Sequence, residues 1–484
     1  MARFEAEAAG SGEAEVRPTA ERTIGSSGAA ARRRAVVQGG TAVVVLAVST
    51  AAMLGRVEPF TSWYYSLAWW PFILLLDALV LALQGHSLLT RDSREFLFIA
   101  LLSVSIWLIF EAWNLVLENW YYVTVTPSLP GRWVGYTVSF ATVVPGIFEA
   151  TELVGAAGLF KRVRVPRIRV GVGLYIVFWA IGTAFLVLPL VWPDYCFPLI
   201  WGGFVFLLEP FNHRFGRGLL REWEQGSLRT FVRLLVGGMI CGLAWEAFNF
   251  DALTKWVYTV PFFEELKLFE MPLAGFLGFP PFAVECYVMV QFINIFRGGK
   301  GWEANDREPP RPSPLAKPVR AAVVGLALVG SLVMFHLMDR HTVASLYPQV
   351  EDLAALAPAE AERLQGAGVH RLDLWIERPG AWRETLQKTG MDPEAMNRWR
   401  RLAVMAALKG MGTGNVRLLW AAGVRSPGEL ADQDPDRLAK RLSEIQQEKG
   451  WARRQPRAAQ VRIWVKAAVK LCRDRTGAVC ERGL

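Results

Sequence analysis

Apolar residues in this chain fall into runs of about twenty, separated by short polar, basic or aromatic segments. A helix of roughly 20 apolar residues crosses a hydrocarbon core of roughly 30 Å, so each run predicts a membrane span. The runs lie near 36–54, 65–84, 96–116, 135–159, 170–191, 197–212, 231–250, 272–296 and 320–337. Before them, residues 1–34 are rich in Ala, Gly, Glu and Arg and read as a disordered cytoplasmic tail. After residue 345 the pattern changes to short, charged, Ala- and Leu-rich helical segments broken at Gly and Pro. The expected fold class is all-α: a polytopic membrane helical bundle followed by a soluble helical domain over 345–484.

Two of the spans say nearly the same thing. "IFEAWNLVLENWYY" (109–122) and "AWEAFNFDALTKWVY" (244–258) bring Glu111, Asn114, Trp120 and Tyr122 into register with Glu246, Asn249, Trp256 and Tyr258. A second acid follows in each half, Glu149 in "VVPGIFEATEL" and Glu285 in "GFPPFAVECYV", each four residues after a proline. Upstream, Asp77 corresponds to Glu209. These matches predict two parallel four-helix repeats, 36–160 and 168–297, followed by a linker at 298–319 and a ninth span at 320–337. The sequence "ARRRA" ahead of the first run has the order of a signal peptide. Its counterpart at the start of the second repeat argues for an uncleaved span instead.

Charge orients the bundle. The segments 85–95, 161–169, 213–229 and 296–320 carry most of the loop Lys and Arg, and they alternate with Trp- and Tyr-rich loops. The positive-inside rule then puts the N-terminus in the cytoplasm of a bacterial inner membrane and the C-terminal domain outside it. The net charge of +9 is accounted for by such loops and is no nucleic-acid signal by itself. Cys472 and Cys480 are the close pair among five cysteines, and they read equally as a disulfide or as two free thiols. No metal or other cofactor is expected. No Cys/His cluster, phosphate-binding loop or dinucleotide fingerprint stands out, and His86 and His213 have no clustered ligands beside them.

Acids within membrane spans are costly and face the bundle interior, so Glu111, Glu246, Glu149, Glu285, Asp77 and Glu209 are the candidate catalytic groups. They are expected to gather around the axis relating the two repeats. Asn114 and Asn249 lie one helical turn from Glu111 and Glu246, on the same face, where they would bond the carboxyl or complete a polar site. Trp120, Trp256, Tyr122 and Tyr258 are candidate substrate-contacting residues, with an interfacial aromatic belt as the structural alternative. Acids that merely hold helices together are duplicated just as readily as catalytic ones. The stretch "CGLAWEAF" (241–248) resembles the short Trp-Glu motif of membrane-bound terpene cyclases. A Pro…Glu helix after a W-x-Y interface is similar to the membrane lycopene-cyclase type, although the Pro-x-Glu-Glu signature is absent. That resemblance implies acid catalysis on an apolar lipid or isoprenoid, with Glu111 and Glu246 as acids and aromatic faces stabilising a carbocation. A proton-coupled transporter and a membrane scaffold remain as the other readings.

The C-terminal domain also repeats internally, "ERLQGAGVHRLDLW" (362–375) against "VRLLWAAGVRSPGEL" (416–430). With "LKGMGTGN" (408–415) and the basic segment 453–471, it resembles an uncharacterised bacterial family of tandem helix-hairpin-helix units. In such hairpins a Gly-hydrophobic-Gly turn offers its N–H groups to a phosphate. Lys409, Gly410, Gly412, Arg453, Arg454 and Arg457 are the candidate anion or phosphate contacts. A protein partner is the expected use of the domain, with nucleic acid or anionic lipid as alternatives.

Overall fold

The structure, a computed structural model, describes residues 19–259, 266–297, 314–372, 375, 380–408, 411–453, 455–474 and 480. Most of the expected linker, and Lys409, Gly410 and Arg454, lie outside those residues. Eight helices among the described residues are long and apolar enough to cross a membrane. The first, α1 (Thr19–Leu54), begins well before its apolar stretch, so the expected tail 1–34 is helical from Thr19. It pairs along its length with α2 (Phe60–Gln84), which ends where Gly85 takes a left-handed φ of 78°. A four-residue helix, α3 (Leu88–Arg91), leads into α4 (Ser93–Leu117), whose first turn is capped by the Asp92 carboxylate.

The fourth expected span is two helices, α5 (Leu129–Phe140) and α6 (Val143–Ala156). Ser103 of α4 bridges the break between them: its hydroxyl donates to the Phe140 carbonyl and accepts the Val144 N–H at 3.0 Å. The second half opens with α7 (Val172–Val191) and a single turn, α8 (Pro193–Cys196). The expected sixth span, 197–212, is not one helix. A 3-10 segment (Phe197–Gly202) meets α9 (Gly203–Arg214) at a kink where Trp201 leaves helical geometry, as Pro198 and the Gly202–Gly203 pair favour. Then come α10 (Leu219–Glu224), α11 (Arg229–Phe250), a 3-10 segment (Leu273–Gly278), α12 (Phe279–Arg297) and the last span, α13 (Lys317–His341).

Close approach rather than oil-drop burial organises the centre of the bundle. A Cβ on Gly237 would lie 2.4 Å from the Thr151 hydroxyl of α6, and one on Gly242 would lie 2.3 Å from the Phe279 ring of α12. These glycines let α11 lie directly against both neighbours, the device helices use where lipid removes any hydrophobic drive to associate. By contrast α7 and α13 keep most of their apolar surface exposed, as helices facing lipid would.

Two short strands join the halves at the end of the bundle where the aromatic loops gather. Strand β1 (Trp120–Val123) pairs antiparallel with β2 (Lys255–Tyr258), in the register Trp120 with Tyr258, Tyr121 with Val257 and Tyr122 with Trp256. The segment after α13 runs parallel to β1, with the Ala344 N–H bonded to the Tyr122 carbonyl at 2.8 Å and the Tyr122 N–H to the Thr342 carbonyl at 2.8 Å. Alternate side chains of a strand point to opposite faces. Tyr121, Val123 and Val257 accordingly pack with Ala344 and Ile463 of the C-terminal domain, while Trp120, Tyr122, Trp256 and Tyr258 face the membrane bundle.

The C-terminal domain has its own core around Trp399, Leu419 and Trp464. Its two "AGV" turns have one geometry: Gly368 and Gly423 take φ of 79° and 81°, and the Val369 and Val424 amides each bond back at 2.9 Å, to Leu364 and Leu419. Cys472 and Cys480 are joined by a disulfide. Asp339, near the end of α13, fastens the domain to the bundle. Its carboxylate accepts both Arg132 Nε (2.7 Å) and Arg132 Nη2 (2.9 Å), the Trp133 indole N–H and the Tyr136 hydroxyl, all from α5. Its carbonyl accepts the Arg453 guanidinium. Asp339→Ala leaves a buried arginine without its carboxylate, which is expected to cost about 3–5 kcal/mol. Thermal unfolding of the purified protein in detergent is expected to show a Tm lowered by several degrees, and an unchanged Tm would show that this pair does not hold α13 to α5.

Candidate functional site

Glu111 sits on the face of α4 turned towards β1, fully buried, and its surroundings are aromatic. One carboxylate oxygen, Oε1, accepts three hydrogen bonds: from Trp107 Nε1 at 3.0 Å, Trp120 Nε1 at 2.9 Å and the Tyr122 hydroxyl at 2.6 Å. Trp107 is one helical turn before the acid, and the other two donors alternate along β1. Glu246 of α11 is equally buried and accepts the Tyr258 hydroxyl of β2 at 2.7 Å. The neighbouring Trp245 indole bonds the Tyr65 hydroxyl of α2.

Asn114 and Asn249 each hold a strand by its backbone. The Asn114 side chain holds both backbone groups of Trp120, donating to its carbonyl at 2.9 Å and accepting its N–H at 3.2 Å. Asn249 grips Trp256 in the same way, at 3.0 and 3.1 Å. Each amide therefore fixes the start of a strand, and with it the aromatic ring that follows. Trp120 and Tyr122 are buried in the bundle core, and Trp256 and Tyr258 pack partly buried against it.

Between these two groups lies a cavity of about 510 Å³. Its wall is largely aromatic, with Trp63, Tyr65, Trp107, Trp120, Tyr122, Tyr136, Trp201, Trp245, Trp256 and Tyr258 among the lining residues. The rings brace one another, as where Trp120 stacks on Trp201 at 6.2 Å and Trp107 meets Phe282 edge-on at 5.9 Å. Two cations also line the cavity, and each has its acid: Arg132 is held by Asp339, and Lys255 by Glu270 at 3.0 Å. Glu111 and Glu246 stand behind the wall and not in it, and the donors named above separate them from the space.

The other four acids do not join them. Asp77 lies eleven residues beyond Ser66, a cavity residue on the same helix, which is about 16 Å along the axis at roughly 1.5 Å per residue. There it accepts the Leu89 N–H at 3.1 Å and the Gln38 amide at 2.7 Å. Glu209 accepts the Leu220 N–H at 2.7 Å in the corresponding loop. Both acids thus hold the first turn of a short helix, α3 in one half and α10 in the other. Glu285 accepts the Phe204 N–H at 2.7 Å, capping α9 at its kink, and Glu149 lies beside Asp77. Of the six acids, Glu111 and Glu246 thus stand beside the cavity, and Asp77, Glu149, Glu209 and Glu285 do not line it. At the same end as Glu209, His213 bonds the Tyr175 hydroxyl at 2.6 Å and the Glu224 carboxylate at 2.8 Å, which holds Glu224 below the usual glutamate range.

Among the described residues, three of the expected phosphate contacts of the C-terminal domain, Gly412, Arg453 and Arg457, have contacts within the chain. Gly412 is buried, and a Cβ on it would lie 2.5 Å from that of Ser345, so this side of the turn is closed by the strand-like segment. Arg457 pairs with Glu118 at 2.7 Å, and Arg453 reaches the Asp339 carbonyl. Arg453 and Arg457 thus join the domain to the bundle, while Arg457 stays more than half exposed.

The fold and site define a multi-pass helical membrane protein that carries a second, soluble helical region. Residues 354–471 match the model of a family described as a domain of unknown function (DUF4332). No curated protein and no solved structure matches the chain. Sequence reasoning passed over Trp107, Trp245, Tyr65 and Tyr136 as site residues. The i, i+4 spacing of Trp107 and Glu111 was the available signal. Replacing Asn114 or Asn249 by Leu leaves one backbone N–H and one C=O of a buried tryptophan unpaired, at about 1–3 kcal/mol for each group. Either variant is expected to lower the Tm by several degrees and to raise amide exchange across its own strand. Normal exchange in both strands would show that the asparagines do not position them.

Proposed function

We propose that the membrane bundle holds an apolar lipid or isoprenoid in the aromatic cavity, between two copies of one ancestral four-helix unit. The carrying observation is the cavity itself, about 510 Å³ in volume and walled by tryptophan and tyrosine from both halves. That volume is in the range of ligand sites, which are typically concave, mostly apolar and provided with a few fixed polar groups. What supports duplication is the paired geometry: Glu with Tyr, Asn with Trp, and an acid on a short-helix N–H, each occurring once in each half. The centre of the strand register, Tyr121 opposite Val257, is where a twofold axis relating the halves would pass.

Acid catalysis on such a ligand would run through Tyr122 and Tyr258, because their hydroxyls line the cavity and bond the acids behind it. For that step the glutamate would hold the proton and donate it to the tyrosine oxygen, with the hydroxyl turned from the glutamate, to which it donates here, towards the substrate. The carrier reading draws less support, since Asp77 and Glu209 are tied to loop amides instead of forming a file with the cavity. The same reading puts the cavity, the strand pair and the C-terminal domain at the extracytoplasmic face of a bacterial inner membrane. The Arg-rich loops lie at the opposite end of the helices, and the Cys472–Cys480 disulfide suits an oxidising compartment. The C-terminal domain, with its paired hairpin-like turns, serves this bundle as a cover.

The test is extraction of the lipid retained by the purified protein, followed by mass spectrometry. Gly135 lines the cavity on α5, and its Cβ position meets only the Trp63 ring, at 3.9 Å. Gly135→Phe therefore fills the space. The wild type is expected to retain one lipid species in near-equimolar amount, and the folded Gly135→Phe protein at least tenfold less. Equal retention by both, or none by either, would overturn the cavity reading.

A further inference from the structure

The cavity wall carries a second piece of information, in what its rings donate to. Glu111 Oε1 accepts two indole N–H groups and one phenol, all uncharged. The rings of Trp107, Trp120 and Tyr122 that face the cavity thus each donate, at their far edge, to a carboxyl oxygen, as Tyr258 does to Glu246. Donation of an N–H or O–H to a carboxyl oxygen shifts electron density into the ring and makes its face a better partner for a cation. The two cations in the wall add no opposing excess, because Asp339 and Glu270 match them.

We propose that this cavity recognises a quaternary ammonium group. This rests on the reading of the cavity as a ligand site and names the part of the ligand it selects. An aromatic enclosure attracts a cation through the ring faces, and more strongly where water is excluded. A primary ammonium would need hydrogen-bond acceptors to replace its water, and tryptophan and tyrosine faces do not supply them. A quaternary ammonium has no N–H to satisfy. The position suits such a group as well: the cavity lies at the helix ends beneath the strand pair, the depth at which lipid headgroups sit, and not at mid-bundle.

The experiment uses the full chain in nanodiscs of anionic, choline-free lipid, with calorimetry and tryptophan fluorescence as readouts. Choline is compared with dimethylbutanol, its uncharged carbon isostere. Choline is expected to bind at least tenfold more tightly than the isostere, and the Glu111→Gln/Glu246→Gln protein to lose that preference while still binding dimethylbutanol. Where the preference holds, displacement of choline by nanodiscs made with phosphatidylcholine assigns the group to a lipid headgroup, and absence of displacement assigns it to a free solute. Equal affinity for the two probes overturns the quaternary ammonium proposal and leaves the apolar cavity standing. Binding of neither probe, together with no retained lipid, overturns both. The wild-type comparison decides the matter even if the Gln variants fail to fold.

Discussion

A pair of four-residue strands holds the two halves of this membrane protein in one arrangement. Backbone that leaves a helix near a membrane must find hydrogen-bond partners, and here α4 and α11 leave towards each other and pair. Asn114 holds the first residue of β1 and Asn249 the second of β2, each by both of its backbone groups, so the pairing begins in a fixed register. The period of two then sorts the aromatic side chains, with one set towards the bundle and the other towards the C-terminal domain. A slip of one residue would exchange the sets, take Tyr122 and Tyr258 from their glutamates and expose the domain to indoles.

The buried acids follow from that arrangement. Glu111 does not meet the cavity. It organises the rings that do, and it stays where water cannot compete for its three donors. Asp77, Glu209 and Glu285 use the same chemistry for another purpose, since each accepts a backbone N–H at the start of a helical turn. One residue type therefore serves two ends, and burial alone does not separate them. Asp339 extends the network outwards by fixing α5, a wall of the cavity, and receiving Arg453 from the domain above.

Much of this was legible in the chain. Hydrophobic runs marked the spans, because about twenty consecutive apolar residues is the length that crossing a hydrocarbon core requires. The Glu-Asn-Trp-Tyr correspondence marked the elements that pair, because both copies keep the same spacing from acid to asparagine. The strands were not legible. "WYYV" and "KWVY" are four residues long, their partners are more than a hundred residues away, and aromatic residues after a span suggest a belt before they suggest a ladder. The roles of Asp77 and Glu209 were hidden for a related reason: a carboxylate on a loop amide depends on where the loop folds back, which composition does not carry. The partners of Arg453 and Arg457, Asp339 and Glu118, were hidden because they lie in the bundle and not in the domain. Helix breaks at 141–142 and 202–203 followed from Gly and Ser positions that an apolar run does not reveal.

The joining of the two halves through β1 and β2 is most directly tested by cross-linking at the centre of the register. Paired antiparallel residues have Cα atoms roughly 4.5–5.5 Å apart, within the span a disulfide bridges. A Tyr121→Cys/Val257→Cys protein with a protease site inserted in the loop 161–169 is oxidised mildly in membranes, cut and run without reductant. The two fragments are expected to stay linked until reductant is added. Fragments that separate without it would contradict the pairing, and with it the shared cavity.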